Sequence, residues 1–161
     1  MSPAEALEIW SLDREIVLSR VLAASADDVF QAWTGSEHLQ RWFGPEGFAT
    51  ETVEIDVREG GRWRFFFVGP DGERYANRIV FRAVVAPWRL VFDHGPDQDE
   101  DESVFRVTVT VDEQADGRSV VSLRQLHPTK EQRDSTVGFG AVELGYQSLE
   151  RLARYVEKGR P

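Results

Sequence analysis

The chain contains no cysteine, which excludes disulfides, thiolate nucleophiles and thiolate metal sites together. Histidine is nearly as scarce. His38, His94 and His127 fall on different segments with no ligand spacing, so no zinc site is encoded. Positive charge is outnumbered, 19 lysines and arginines against 28 acids, for a formal net charge of −9. A phosphate backbone is repelled at long range, and no basic run opposes that trend, so nucleic acid is not an expected partner. No apolar run approaches the eighteen or more residues of a membrane span. The opening MSPAEALEIW carries Glu5 and Glu8 and lacks the basic-then-apolar order of a signal peptide. A cytoplasmic protein is the expectation. There is no G-x-S-x-G elbow, and Gly60-Gly61 is not followed by the Gly-Lys-Ser/Thr of a phosphate loop. The stretch DQDED (97–101) begins like a calcium loop, but Glu102 stands where glycine is required and Thr108 where the bidentate glutamate belongs. No metal and no cofactor are implied.

Rings are what the chain has in quantity: five tryptophans and ten phenylalanines in 161 residues. That length fits a single domain over 1–161, with 1–12 as an N-terminal extension. Alternation predicts strands in REIVLSRVLA (14–23), FATETVEIDV (48–57), GGRWRFFFV (60–68), ERYANRIVFRAVV (73–85), WRLVFDH (88–94), SVFRVTVTV (103–111) and RSVVSLRQLH (118–127). GPDG (69–72) has the residues of a hairpin turn: proline at the first central position and Gly72 at the left-handed one. On its first arm Trp63, Phe65 and Phe67 share a face, with Arg62 and Arg64 on the other. The return arm sets Tyr75, Asn77, Ile79 and Phe81 against Arg78 and Arg82, the pattern of a half-buried antiparallel sheet.

Helix signals sit in two places. SADDVFQAW starts with Ser25 as a cap reciprocated by Asp28, and Ser36 is the expected cap of a second, two-turn helix that Gly44-Pro45 stops. After Pro128, Thr129 and Gln132 read as a capping box. Val142, Gly145, Leu149, Leu152, Ala153 and Val156 then recur at helical spacing, with charged residues outside. A helix running from Lys130 to Glu157 either bends near Gly138 or uses its glycines to lie close to the sheet. The expected class is therefore α+β: a seven-stranded antiparallel sheet wrapped around a long C-terminal helix, with two short helices after the first strand. A curved sheet is wider than one helix, so space is left at the ends of the groove between them.

The stretches RVLAASADDVFQAWTGSEHLQRWFGPEGF (20–48), VEIDVREGGRWRFFFVGPDG (53–72), APWRLVF (86–92), SLRQLHPTKEQRD (122–134) and FGAVELGYQSLERLARYVE (139–157) carry a resemblance. Together they resemble the Activator of Hsp-90 ATPase homologue (AHSA-like) branch of the SRPBCC superfamily, also called START-like or Bet v 1-like, from Arg14 to Gly159. The resemblance implies a helix-grip fold with an apolar cavity that takes hydrophobic small molecules. Some relatives catalyse cyclisation of polyketide-like compounds. Ala26 departs from a common proline, and Gly145-Tyr146 from a common glycine-tryptophan, which alters one cavity wall. No separate N-terminal co-chaperone domain is expected, so the family name alone does not carry chaperone activation over to this chain.

Two roles are open for Trp42 and Phe43: stapling the second helix to the sheet, or rimming a ligand. The residues expected to supply apolar contact are Trp33, Trp42, Phe65, Phe67, Tyr75, Phe92 and Phe139. Inward polar residues must find partners, and Asn77, Gln125, His127 and Glu143 are expected either to bond internally or to orient a polar group of the ligand. His94 shares the inward parity of Leu90 and Phe92. Binding of a hydrophobic small molecule is the first reading. The second is a cyclase or hydrolase using His127 and Glu143 as an acid–base pair. The third is an interaction module, a homodimer or a chaperone partner, working through exposed surface.

Overall fold

A computed structural model describes residues 1–157; residues 158 and 159, the end of the family-like span, lie outside these. Helix α1 (Pro3–Ala6) and a 3-10 turn (Leu12–Arg14) precede β1 (Glu15–Leu22). Helices α2 (Ala26–Thr34) and α3 (Ser36–Trp42) follow, then β2 (Ala49–Ile55), β3 (Arg62–Val68), β4 (Arg74–Val85), β5 (Arg89–Pro96), β6 (Phe105–Glu113) and β7 (Ser119–Leu126). Helices α4 (Lys130–Gly138) and α5 (Ala141–Glu157) end the described chain. The seven strands form one antiparallel sheet in the order β1-β7-β6-β5-β4-β3-β2. β1 pairs with β7 rather than β2 because α2 and α3 carry the chain from one edge of the sheet to the other.

Side-chain parity sets the two faces. Inward residues such as Leu18, Trp63, Phe81, Leu90, Val109 and Val121 are 0–2% exposed. The outward arginines pair with acids: Asp93 accepts from Arg82 Nε at 2.8 Å and Arg106 Nε at 2.7 Å, and Asp97 accepts from Arg64 and Arg78, each at 2.9 Å. The GPDG turn forms as its residues dictate, with Gly72 at φ +83° and its N–H donating to Gly69 O at 2.9 Å.

Ser25 caps α2, accepting from Asp28 N at 3.1 Å. Ser36 does not cap α3, contrary to expectation. The capping position is Gly35, and Ser36 is already the first helical residue. The last turn of α2 closes with Gly35 N donating to Gln31 O at 2.7 Å, so a single extended residue separates the helices. A Cβ at position 35 would stand 2.5 Å from the His38 ring, which leaves room for glycine alone.

Both expectations for the terminal helix are met at different glycines. The helix breaks at Phe139-Gly140, where Gly140 takes φ +88°. Beyond the break α5 presses Gly145 against β1: a Cβ there would lie 2.3 Å from Leu18 Cδ1, inside the core. Gly145→Val is expected to destabilise by about 2–3 kcal/mol through overpacking, against a helix-propensity gain of under about 1 kcal/mol. Urea denaturation measures it; a stabilised variant would mean that α5 stands farther from β1.

The N-terminal extension folds back onto the sheet. Arg14, 8% exposed, donates from Nη1 to Ala6 O and His127 O, both at 2.9 Å, and from Nη2 to Ile9 O at 2.5 Å. His127 N in turn donates to Arg14 O at 2.9 Å, so Arg14 fixes the backbone at the end of β7.

Candidate functional site

α5 packs against β1, α2 and α3, and leaves the middle strands of the sheet uncovered at one end. The space there is a cavity of about 420 Å³. Its floor comes from β5, β6 and β7 through Phe92, His94, Phe105, Val107, Leu123 and Gln125. α2 and α3 supply Trp33 and Trp42, the α3–β2 loop supplies Phe43 to Pro45 and Phe48, and α4 and α5 close the remaining side with Thr136, Ala141, Leu144 and Ser148. Nearly all of the wall is apolar, and no Asp, Glu, Lys or Arg lines it among the described residues.

The stretch HLQRWFGPEGF divides the two roles left open for its aromatics. Trp42 is 1% exposed, its Nε1 donating to Ala32 O at 2.9 Å, and it meets Trp33 edge-on at 4.6 Å. It is core and wall at once. Phe43 stacks parallel to Phe67 at 6.0 Å and meets the Trp63 and Phe65 rings edge-on, joining the loop to the sheet. The loop is then held from α5: Arg151 Nη1 donates to Gly44 O and Pro45 O at 3.0 Å and to Phe48 O at 3.3 Å. Gln147 Oε1 accepts from Glu46 N at 3.2 Å, and Arg154 pairs with Glu46. Arg151→Met strands three carbonyls and is expected to cost about 2 kcal/mol, with faster amide exchange at residues 46–48. Unchanged exchange there would contradict the clamp.

Of the residues expected at the site, Trp33, Trp42, Phe67, Tyr75, Phe92, Gln125 and His127 line the cavity, Tyr75 at a half-exposed rim. Four do not. Phe65 is 1% exposed and lies behind the wall, stacked on Trp63 at 4.0 Å. Asn77 stands one step back, bonded to His94. Phe139, expected inside, is 84% exposed, because the chain turns outward at the helix break. Glu143 faces solvent on the first turn of α5, on the side opposite Ala141, which lines the cavity. Phe105 lines the wall without having been put forward, and Phe43 and His94, read from the sequence only as an open rim role and an inward parity, line it as well. The parity of His94 with Phe92, and of Phe105 with Val107, was the signal for two of them.

The polar groups of the wall are few and neutral. Burial pushes His94 down to about 4, and burial followed by the charge of Arg133 does the same to His127. Both are uncharged imidazoles at neutral pH. They flank Phe105 in a row across three strands, with ring centroids 5.2 Å apart on the His94 side and 5.1 Å on the His127 side. His94 Nε2 lies 2.9 Å from Asn77 Oδ1, and Asn77 Nδ2 donates to Tyr75 O at 2.9 Å. Trp33 Nε1 and His127 Nε2 are buried and have no partner among the described residues, whereas Trp42 and Trp63 have bonded indoles. Among the described residues no group of histidines and acids is placed to hold a metal ion, and no helix is long and apolar enough to cross a membrane.

The fold recurs in solved structures. A protein from Arthrobacter aurescens superposes with a TM-score of 0.83 at 20% identity, over 91% of this chain and 87% of its own. One from Nitrosomonas europaea gives 0.82 at 21% identity, over 92% of this chain and 97% of its own. One from Chromobacterium violaceum gives 0.74 at 26% identity, over 91% and 99%. These likenesses establish the helix-grip architecture. A search of curated proteins gives no match. The family model for the Activator of Hsp90 ATPase homolog 1-like proteins matches residues 23–157, a span that runs from the end of β1 through both short helices, the sheet and α5. The chain belongs to the Activator of Hsp90 ATPase homolog 1-like family.

Proposed function

We propose that this protein binds a hydrophobic small molecule in the cavity between its sheet and α5. The observation that carries the reading is a void of about 420 Å³ walled by aromatic rings and free of formal charge. That volume lies in the usual range of small-molecule sites. A ligand burying about 300 Å² of apolar surface gains roughly 7 kcal/mol before association costs. The fold family, whose members commonly take apolar ligands, supports the same reading. The cysteine-free sequence supports a reducing compartment, and we place the binding in the cytoplasm.

The cyclase or hydrolase reading asked for an acid–base pair from His127 and Glu143. Glu143 is exposed and outside the cavity wall, while His127 is 3% exposed within it. The enzymatic reading therefore lacks its acid, and binding without turnover is the one we hold.

Native mass spectrometry of the protein purified from its own host tests the proposal. The expected spectrum contains an adduct of a few hundred daltons in the wild type. The adduct is lost in Ser148→Trp, which places an indole where the hydroxyl of α5 now lines the void. Equal adduct in both proteins would place the ligand elsewhere.

A further inference from the structure

The polar groups that face the cavity are not interchangeable, because their hydrogens are already assigned by the network behind the wall. Asn77 Nδ2 donates to Tyr75 O, so the Asn77 oxygen is the atom turned towards His94, 2.9 Å from Nε2. A neutral imidazole carries one N–H, and here it must sit on Nε2 to meet that oxygen. Nδ1 is left with a lone pair. It has no partner among the described residues, and it is not one of the polar atoms sealed off without one, which are Arg20 Nε, Trp33 Nε1 and His127 Nε2. The ring is wedged among Phe43, Phe65, Phe67 and Phe105, with centroids 5.2–6.4 Å away, so it is not free to turn. The cavity thus presents a fixed acceptor on β5. On β7, Gln125 has no side-chain partner among the described residues and lines the same floor beyond Val107, its cross-strand neighbour.

An acceptor without a proton selects its ligand by chemistry. A carboxylate would bring a second lone pair to Nδ1 and a charge into a wall with no lysine or arginine. An ammonium group would find no carboxylate. A hydroxyl supplies the missing hydrogen and no charge. The size of the site is set by comparison: a void near 150 Å³ holds one benzene, so about 420 Å³ holds roughly two to three fused rings.

We propose that His94, with its tautomer fixed by Asn77, is the specificity-determining residue of the cavity and selects an uncharged two- or three-ring ligand bearing a hydroxyl group. This rests on the binding reading given above. His94 acts by direct contact with the ligand; Asn77 is a positioning residue that acts through it.

Matched naphthalenes separate the alternatives, with affinities measured by tryptophan fluorescence or calorimetry at pH 7.5. The probes are 2-naphthol, 2-methoxynaphthalene and 2-naphthoate. The ether is more apolar than the naphthol, so burial alone favours it. A preference for the naphthol must come from a donated hydrogen bond. The expected order is naphthol about tenfold tighter than the ether, with the naphthoate weakest. In His94→Leu the ratio of naphthol to ether affinity is expected to fall to near one. Asn77→Leu leaves the imidazole in place and releases its tautomer, so that Nδ1 can donate to the ether oxygen; the ratio is expected to fall there as well. Should His94→Leu fail to fold, Asn77→Leu decides. A wild-type ratio near one, a ratio that survives both substitutions, or naphthoate binding as tightly as naphthol would overturn the role of His94 while leaving the cavity a binding site. Failure of all three probes to bind would remove the binding reading as well.

Discussion

Acidification from pH 7 to pH 4 is expected to remove roughly 5 kcal/mol of stability, most of it through two histidines. His94 and His127 are held at about 4 in the folded protein by burial, against an ordinary value of 6.5. Above pH 6.5 neither the folded nor the unfolded chain protonates them, and they contribute no slope. Between 6.5 and 4 the unfolded chain takes up the protons and the folded chain does not. Each histidine therefore tilts the balance towards unfolding by up to about 1.4 kcal/mol per pH unit as the pH falls. Below about 4 both states are protonated and this contribution levels off. Asp97 adds loss lower down: burial pushes its carboxyl up, but hydrogen bonds from Arg78 and Arg64 outweigh that and hold it below the usual range. Its stabilisation disappears only as those bonds lose their charge in stronger acid. Urea denaturation at half-unit steps separates the two windows. In His127→Phe, which keeps a ring against Phe105, the slope between pH 6.5 and 4 is expected to halve. A flat profile down to pH 4.5 would mean that these imidazoles are solvated and that the cavity wall is not dry.

Replacing Trp63 by alanine is expected to cost about 4 kcal/mol. Trp63 is 0% exposed, stacks on Phe65 at 4.0 Å, meets Phe43 edge-on at 5.3 Å and donates from Nε1 to Thr52 Oγ1 at 3.0 Å. Its removal leaves a void on the sheet side of Phe43 and a hydroxyl without its donor. In a chain of this size the loss lowers the melting temperature by roughly 8–16 °C. Trp88, half exposed in the turn between β4 and β5, is the control: Trp88→Ala is expected to stay within about 0.5 kcal/mol. Equal effects at the two positions would mean that the ring stack is not what holds the α3–β2 loop to the sheet.

The strands were legible because period-two alternation is a local property: Trp63, Phe65 and Phe67, or Phe105, Val107 and Val109, declare their inward face without reference to anything distant. The same reasoning placed Phe92, Gln125 and His127 on the cavity wall, and the helical face shared with Val29 and Ala32 placed Trp33 there. It failed at Phe139 and Glu143 for one reason. Their orientation depends on where the terminal helix breaks: the break at Gly140, at φ +88°, leaves Phe139 outside and sets the phase of α5 so that Ala141 and Leu144 meet the cavity and Glu143 meets solvent. Several glycines in the stretch could have hosted the break, and nothing local chose among them. Phe65 and Asn77 show a different limit. Both face inward as read, but a wall has depth: Trp63 and Phe43 cover Phe65, while the side chain of Asn77 is held by His94. Parity reports a face and not the layer within it. The cap of α3 falls on Gly35 rather than Ser36 because α2 closes with Gly35 N on Gln31 O and leaves a single extended residue between the helices, a junction that sequence spacing does not measure.

Trp33 forms part of the cavity wall, and its indole N–H has no partner among the described residues; its place in the wall makes its signal a reporter of occupancy. In a ¹⁵N-labelled sample each of the five tryptophans gives an indole signal. Titration with 2-naphthol is expected to move the Trp33 signal, through the ring current of the bound probe, while the signals of Trp10 and Trp88, both on the surface, stay fixed. Movement of Trp10 or Trp88 with Trp33 unchanged would place the probe on the outside of the fold and contradict a ligand-binding cavity beneath α5.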